Sequence, residues 1–117
     1  MAFIKFKNYA AAARCNITLR FNQYLFISNS ILQRMKWEGF YFAEFFTDIE
    51  AKLIGVKLIY KNEDAFHRKV FKEKNGVSIH IRPILKAFEL QDFHKTTTFE
   101  IDEKDDMIVF SLIGLKK

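Results

Sequence analysis

The 117-residue sequence is poor in the residues that build phosphate loops, disulfides and metal sites. It has four glycines, too few for a glycine-rich loop that cradles phosphate. The single cysteine, Cys15, cannot form an intramolecular disulfide, which is typical of a reducing compartment. The histidines His67, His80 and His94 are widely spaced, and no cysteine stands near them at the spacing of zinc ligands. We therefore expect no metal and no cofactor.

Long apolar runs and nucleophile motifs are missing as well. No stretch approaches the roughly 18 consecutive apolar residues that a membrane span requires. The N-terminal residues 1–15 lack an apolar run long enough for a signal peptide. Neither Cys15 nor any serine stands in a recognisable arrangement with a poised base, so no catalytic residue is predicted. These absences predict a cytoplasmic protein that is not an enzyme.

Hydrophobic residues make up half of the chain, and 14 of the residues are phenylalanine. This composition excludes wholesale disorder and predicts a single domain over residues 1–117. A core of this size does not readily hide so many phenylalanines. We therefore expect some of them to face a partner, which favours a homo-oligomer.

The net charge of +5 is unevenly distributed. Residues 1–36 carry six basic residues and no acid, and residues 60–86 carry seven basic residues against three acids. Residues 87–117 reverse the balance, with four basic residues against seven acids. Such segregation favours a basic surface that binds polyanions, of which nucleic acid is the commonest. A lysine-rich solvated surface without a ligand is the alternative.

Residue patterns predict four strand pairs and two short helices. The strand pairs are 17–21 with 24–28, 40–47 with 53–60, 66–74 with 77–81, and 97–102 with 107–112. Asn75-Gly76 is the strongest hairpin signal among the turns. The first helix covers residues 29–37 after the N-cap candidates Ser28, Asn29 and Ser30, and the second covers 83–90 with Pro83 in its first turn.

The two halves of the chain follow a similar pattern at an offset of 53 residues. Asn22 then aligns with Asn75, and Leu32 aligns with Leu85. The predicted fold class is α+β, mainly antiparallel β-sheet with two short helices. A ββαββ unit is repeated over about 17–60 and 66–113, and both copies share one core. Equivalent helix residues are expected to be buried: Ile31, Leu32 and Met35 in the first copy, and Ile84, Leu85 and Phe88 in the second.

The segment 66–74, FHRKVFKEK, interleaves aromatic and basic residues along a predicted strand. Lysine and arginine contact phosphates, and flat rings stack on unpaired bases, so the mixture is typical of single-stranded nucleic-acid binding. Single rings of this kind are more often core residues, and the hypothesis depends on the basic residues as a group. The predicted binding residues are Arg20, Arg68, Lys69, Phe71, Lys72 and Lys74. A protein-interaction module with a basic surface is the alternative.

Residues 40–90 resemble a known family in the order of their elements. Three predicted strands precede KNGVSIHI, and the helix RPILKAFEL follows. This order resembles the ββββα unit of the positive-cofactor-four coactivators and the Whirly proteins, which bind single-stranded DNA. The resemblance implies a role in replication, recombination or transcription, and it implicates Lys69, Phe71, Lys72 and Lys74 on the sheet face.

A second resemblance implies a different ligand. Residues 26–32, FISNSIL, are similar to the strand-to-helix step in the swapped-hairpin domains of AbrB and MraZ. Those domains are double-stranded-DNA-binding regulators, and their step usually contains an Ile-Pro pair, which this segment lacks. Both resemblances imply a nucleic-acid-associated protein inside the cell, and they differ in whether the ligand is single-stranded or duplex.

Overall fold

The computed structural model describes residues 16–37, 42–59, 68–113 and 115, which form nine β-strands and two short helices. The strands are β1 (Asn16–Leu19), β2 (Tyr24–Ser28), β3 (Phe42–Asp48), β4 (Leu53–Ile59), β5 (Arg68–Glu73), β6 (Gly76–His80), β7 (Thr97–Glu100), β8 (Asp102–Lys104) and β9 (Met107–Ser111). The helices are α1 (Asn29–Arg34) and α2 (Arg82–Ala87). The prediction of a mainly antiparallel sheet with two short helices is confirmed.

One antiparallel sheet contains all nine described strands, in the order β7-β1-β2-β6-β5-β3-β4-β9-β8. The sheet curls into a nearly closed barrel. Across the remaining gap, the ring of Phe99 in β7 packs against that of Phe110 in β9, with centroids 5.1 Å apart. Strands of the first and second halves of the chain pair at several places in this sheet, and the longest of these pairings, β2 with β6, covers five residues from Tyr24↔His80 to Ser28↔Gly76.

Inward-facing side chains of the strands fill the barrel interior. In β2, Leu25 and Ile27 are buried, and in β4 Ile54, Val56 and Leu58 are buried as well. Each such side chain contributes about 1.5–3 kcal/mol relative to an exposed position. The remaining core residues of the described chain are Ile17, Leu19, Ile31, Trp37, Ala43, Val70, Val77, Ile79, Ile81, Leu85, Leu90, Phe93, Phe99, Ile108, Phe110 and Leu112.

The helices lie close to their predicted positions but are shorter than predicted. Ile31 and Leu85 are fully buried, as expected. The other predicted helix residues are half-buried and pack against the core: Leu32, Met35, Ile84 and Phe88. Ser28 stands at the N-cap of α1, as predicted, although its side chain makes no capping bond. Neither helix of the described chain has the length and apolar character to cross a membrane.

Both helices end in the same kind of turn, a Schellman motif. Lys36 after α1 and Glu89 after α2 adopt left-handed backbone conformations, with φ of 58° and 60°. The next residues, Trp37 and Leu90, are buried, and each donates its backbone N–H to the carbonyl five residues earlier. Glycine usually occupies the left-handed position, so both turns hold a less favoured residue there. The two turns stand at the 53-residue offset of the predicted repeat.

Three of the four predicted strand pairs are confirmed, namely β1–β2, β3–β4 and β5–β6. The fourth is partly wrong. Only β8 pairs with β9, whereas β7 pairs with β1 over four residues. This register sets Phe99 opposite Ile17 with both buried, and it gives the free edge of β1 a hydrogen-bonding partner. The predicted strand residues 40–41, 60 and 66–67 lie outside the described residues, as do Cys15 and His67.

Candidate nucleic-acid interface

Four neighbouring strands, β1, β2, β6 and β5, present a mixed aromatic and charged surface on the outside of the barrel. Phe26, Ser78 and Phe71 lie directly opposite one another across β2, β6 and β5. Because strand side chains alternate, residues two positions from these share their side of the sheet. We call this surface the aromatic–basic face. It consists of Arg20, Tyr24, Phe26, Lys69, Phe71, Glu73, Ser78 and His80.

The aromatic rings of this face lie close to one another, and one of them, Phe71, is exposed to solvent. Tyr24 lies with its ring centroid 6.2 Å from that of Phe71 and 5.1 Å from that of His80. The Nζ atom of Lys69 is 5.5 Å from the centroid of the Phe71 ring, within cation–π range. Phe71 is 44% exposed, whereas Ser78 beside it is buried. A flat ligand therefore has access to the Phe71 ring next to a positive charge.

Arg20, one of the predicted binding residues, belongs to the face, and it bonds to the carboxylate of Glu73, which was not predicted. Its two terminal nitrogens donate to Glu73 at 2.8 and 2.9 Å, and its Cζ atom lies 4.6 Å from the centroid of the Phe26 ring. The bidentate bond raises the pKa of Arg20, and hydrogen bonds from Arg20 and then Ser78 lower the pKa of Glu73. Both groups are therefore charged near neutral pH, and Glu73 occupies the two guanidinium nitrogens that could otherwise contact a phosphate.

The structure brings only some of the predicted binding residues together. Lys69 and Phe71 lie on the aromatic–basic face. Lys72 is one position further along β5 and therefore faces the other side of the sheet, where it lines a pocket of about 170 Å³ with Trp37. Lys74 is exposed in the β5–β6 turn, where its backbone carbonyl accepts a bond from the side chain of Asn29. The prediction that the lysines of 66–74 share one side is therefore wrong for Lys72, because neighbouring strand residues face opposite ways.

His80 was not among the predicted binding residues, and it lies beside Arg68 at one end of the face. Arg68 donates from Nε to the carbonyl of His80 at 3.3 Å, and its Nη2 lies 3.4 Å from Nδ1 of the imidazole. Burial, followed by the positive charges of Arg68 and Arg82, lowers the pKa of His80. The imidazole is therefore neutral near pH 7. In the part of the chain that the structure describes, no group of histidine, cysteine or carboxylate side chains could hold a metal ion.

A second apolar surface lies on the outside of β3, β4 and β9, of which β3 is the strand next to β5. Phe46 is 44% exposed there and borders a groove of about 190 Å³ with Met107 and Val109. Phe46 therefore matches Phe71 in residue type, strand position and exposure without sharing its charged neighbours.

Comparison of the chain with family models, with curated proteins and with solved structures gave no match. Function is accordingly inferred from the chemistry of the aromatic–basic face and its surroundings.

Proposed function

We propose that the protein binds single-stranded nucleic acid on the aromatic–basic face. The observation that carries this proposal is the accessible ring of Phe71, which lies beside Tyr24 and under the ammonium group of Lys69. An unpaired base can stack on such a ring, whereas the bases of a duplex are already stacked on each other. The positive charge next to the ring is placed to contact the phosphate that follows the base.

The charge distribution around the face supports the same proposal. Exposed or half-buried cations surround the rings, with Lys69 and Arg68 in β5, Lys74 in the following turn and Arg82 at the start of α2. Acids gather instead on the β8–β9 hairpin, where Asp102, Glu103, Asp105 and Asp106 are exposed. A field of this asymmetry steers a polyanion toward the basic side. We propose a binding role without catalysis and without a cofactor.

Replacing Phe71 with alanine is expected to weaken binding to an unstructured oligonucleotide by about 1–3 kcal/mol, the usual cost of losing a stacking ring. The dependence of affinity on salt should stay unchanged, because no phosphate contact is lost. Fluorescence anisotropy over a salt series measures both quantities. Phe46→Ala is the matched control, since Phe46 is equally exposed on another outer surface. Equal losses from the two substitutions, or no loss from Phe71→Ala, would contradict the proposed stacking role.

Replacing Glu73 with glutamine is expected to strengthen the same binding. The substitution removes a negative charge from the face and releases Arg20 to contact phosphate. The gain should be about 0.5–1 kcal/mol, the Coulomb energy of two unit charges about 4–8 Å apart in bulk water. Asp105→Asn makes the same change of net charge on the β8–β9 hairpin, and asparagine tolerates the positive φ of 52° at that position. The control should have a smaller effect. A gain of equal size from both variants would show a response to net charge alone.

A second candidate function is duplex binding by a swapped-hairpin regulator, and the strand pairing favours it. In the sheet, β3 of the first half pairs with β5 of the second, and β7 of the second half pairs with β1 of the first. Each half therefore lends a strand to the other, as the resemblance to AbrB and MraZ implies. Duplex binding gives the exposed ring of Phe71 no evident role, so we place duplex binding second.

We also propose that residues 17–60 and 66–113 are copies of one ββαββ unit. The sheet order supports this, because β7-β1-β2 on one side of the central β2–β6 pairing corresponds to β3-β5-β6 on the other. The matching Schellman turns after α1 and α2 support it further. If side chains of both halves form one core, residues 1–117 fold as a single unit.

Self-association remains a prediction. The exposed large apolar side chains of the described residues are Phe21, Phe46, Ile49, Phe71 and Ile113. Of these, Phe46 borders a groove that Met107 and Val109 also line, and an exposed apolar area of this kind suits contact with a second copy of the chain. We expect light scattering at micromolar concentration to give at least twice the chain mass of 13.9 kDa. A strictly monomeric mass would refute self-association.

A further inference from the structure

His80 stands at the end of the aromatic–basic face where positive charge is densest. In β6 it follows Ile79, which pairs with Val70, so its side chain lies across from Lys69 on the same side of the sheet. Its ring packs against Tyr24, and Arg68 contacts both its carbonyl and its imidazole. A histidine in this position is within reach of any phosphate that Lys69 and Arg68 attract.

The contact with Arg68 determines which nitrogen of the neutral imidazole carries the proton. A guanidinium group has donors only, so Nδ1 of His80 must accept in its contact with Nη2 of Arg68. The neutral ring then carries its proton on Nε2, and this N–H is a donor for a ligand oxygen. For Nδ1 to take up a proton, Arg68 must first move away from it. Protonation of His80 is thus coupled to the position of Arg68.

The groups that face His80 from the packed elements are positive or neutral. They are Arg68 and Lys69 from β5, Arg82 from α2 and the phenol of Tyr24 from β2. Glu73 lies on the same face at the other end of β5, where Arg20 neutralises it. The positive neighbours disfavour a further charge on His80 in the free protein. A bound phosphate offsets the repulsion from these positive neighbours, whereas burial still lowers the pKa of His80.

We propose that Arg68 and His80 form a phosphate subsite for the nucleic-acid backbone, and that His80 takes up a proton when a phosphodiester binds there. In this step the phosphate draws the guanidinium of Arg68 away from Nδ1. The lone pair of Nδ1 then forms an N–H bond with a proton from solvent, and no other covalent bond changes. The resulting imidazolium and Arg68 both face the phosphate. This inference depends on the proposed nucleic-acid binding, and it adds a residue that the sequence prediction did not include.

The direction of the pH effect follows from linkage. Binding raises the pKa of His80 from its lowered value in the free protein, because a negative charge is added beside the imidazole and its positive neighbours. Affinity should therefore rise as pH falls through the pKa of the complex, and it should level off below the pKa of the free protein. One proton gives at most a tenfold gain in affinity per pH unit.

The test is a pH series of binding to an oligothymidylate of about 15 nucleotides without a terminal phosphate, within the usual site size of single-strand binders. Ionic strength is held constant from about pH 5 to about pH 8, the range in which histidine titrates. The wild-type protein should bind more tightly as pH falls, whereas His80→Gln should bind with an affinity nearly independent of pH. His94→Gln, which removes a histidine that bonds the carbonyl of Phe21, should keep the wild-type dependence.

Titration of the His80 ring by NMR, with and without the oligonucleotide, measures the proton uptake in the unmodified protein. A pKa that rises on binding supports the subsite. The subsite is refuted if binding occurs but the His80 pKa does not rise, or if the pH dependence persists in His80→Gln and disappears in His94→Gln. Absence of binding at every pH would instead refute the proposed function, and the subsite with it.

Discussion

Replacing Gly76 with alanine is expected to destabilise the protein by about 3 kcal/mol or more, the upper end of the range for overpacking substitutions. A Cβ atom at Gly76 would lie 2.1 Å from the carbonyl oxygen of Ile27 and 2.9 Å from Cα of Ser28. Both are backbone atoms of β2, so relief requires β2 and β6 to separate where the two halves of the chain meet. Such a loss is a large part of the 5–15 kcal/mol that stabilises a typical domain.

Gly55→Ala is the control, because its new Cβ meets mainly the end of a flexible side chain. The closest atom is Sδ of Met107 at 2.9 Å, and Met107 is half-buried on the outer surface. Removing a strand glycine also reduces the entropy lost on folding, so the net change should stay within about 1 kcal/mol. Urea denaturation compares the midpoints of the two variants. Equal midpoints would contradict the close approach of β2 and β6.

Replacing Gln23 with methionine is expected to lower the free energy of unfolding by about 2–4 kcal/mol. Gln23 is 3% exposed, and its Nε2 donates to the backbone carbonyls of Gln91 and Phe93. Methionine keeps the length of the side chain but has no donor, so the buried carbonyl of Phe93 loses its partner at about 1–3 kcal/mol and the half-buried carbonyl of Gln91 loses its partner at a smaller cost. Hydrogen exchange should show faster opening of residues 91–93.

The same substitution at the exposed Gln33 of α1 is the control for Gln23→Met. A surface change of this kind is usually worth no more than about 0.5 kcal/mol in either direction. If Gln23→Met and Gln33→Met unfold at the same urea concentration, Gln23 does not tie the segment after α2 to the β1–β2 turn.

Local periodicity was sufficient to predict a small part of the core. It placed the short helices within a few residues and identified Ile31 and Leu85, which are fully buried. The pairing of β7 with β1 was missed because it joins segments about 80 residues apart, and a strand pattern does not specify a distant partner. The hairpin at Asn75-Gly76 was predicted correctly, but the physical reason for its glycine is different. Gly76 has no positive φ, and its role is the close approach to Ile27.

The binding face was only partly predictable for a related reason. Alternation alone could have separated Lys72 from Lys69 and Phe71, because residues two apart share a side of a strand. Tyr24 and His80 enter the face through the register of β2, β6 and β5, which a single sequence does not specify. Glu73 was counted only as an acid within a basic segment. Its bidentate bond to Arg20 depends on the same long-range pairing.

The central claim is binding of single-stranded nucleic acid, and fluorescence anisotropy with labelled single-stranded and duplex oligonucleotides of equal length tests it most directly. The titrations are repeated over a salt series, since phosphate contacts give an affinity that falls steeply with salt. We expect the single strand to bind more tightly at every salt concentration, because only unpaired bases can stack on Phe71. Tighter binding of the duplex would contradict this claim in favour of the swapped-hairpin regulator, and no binding of either at low salt would contradict both.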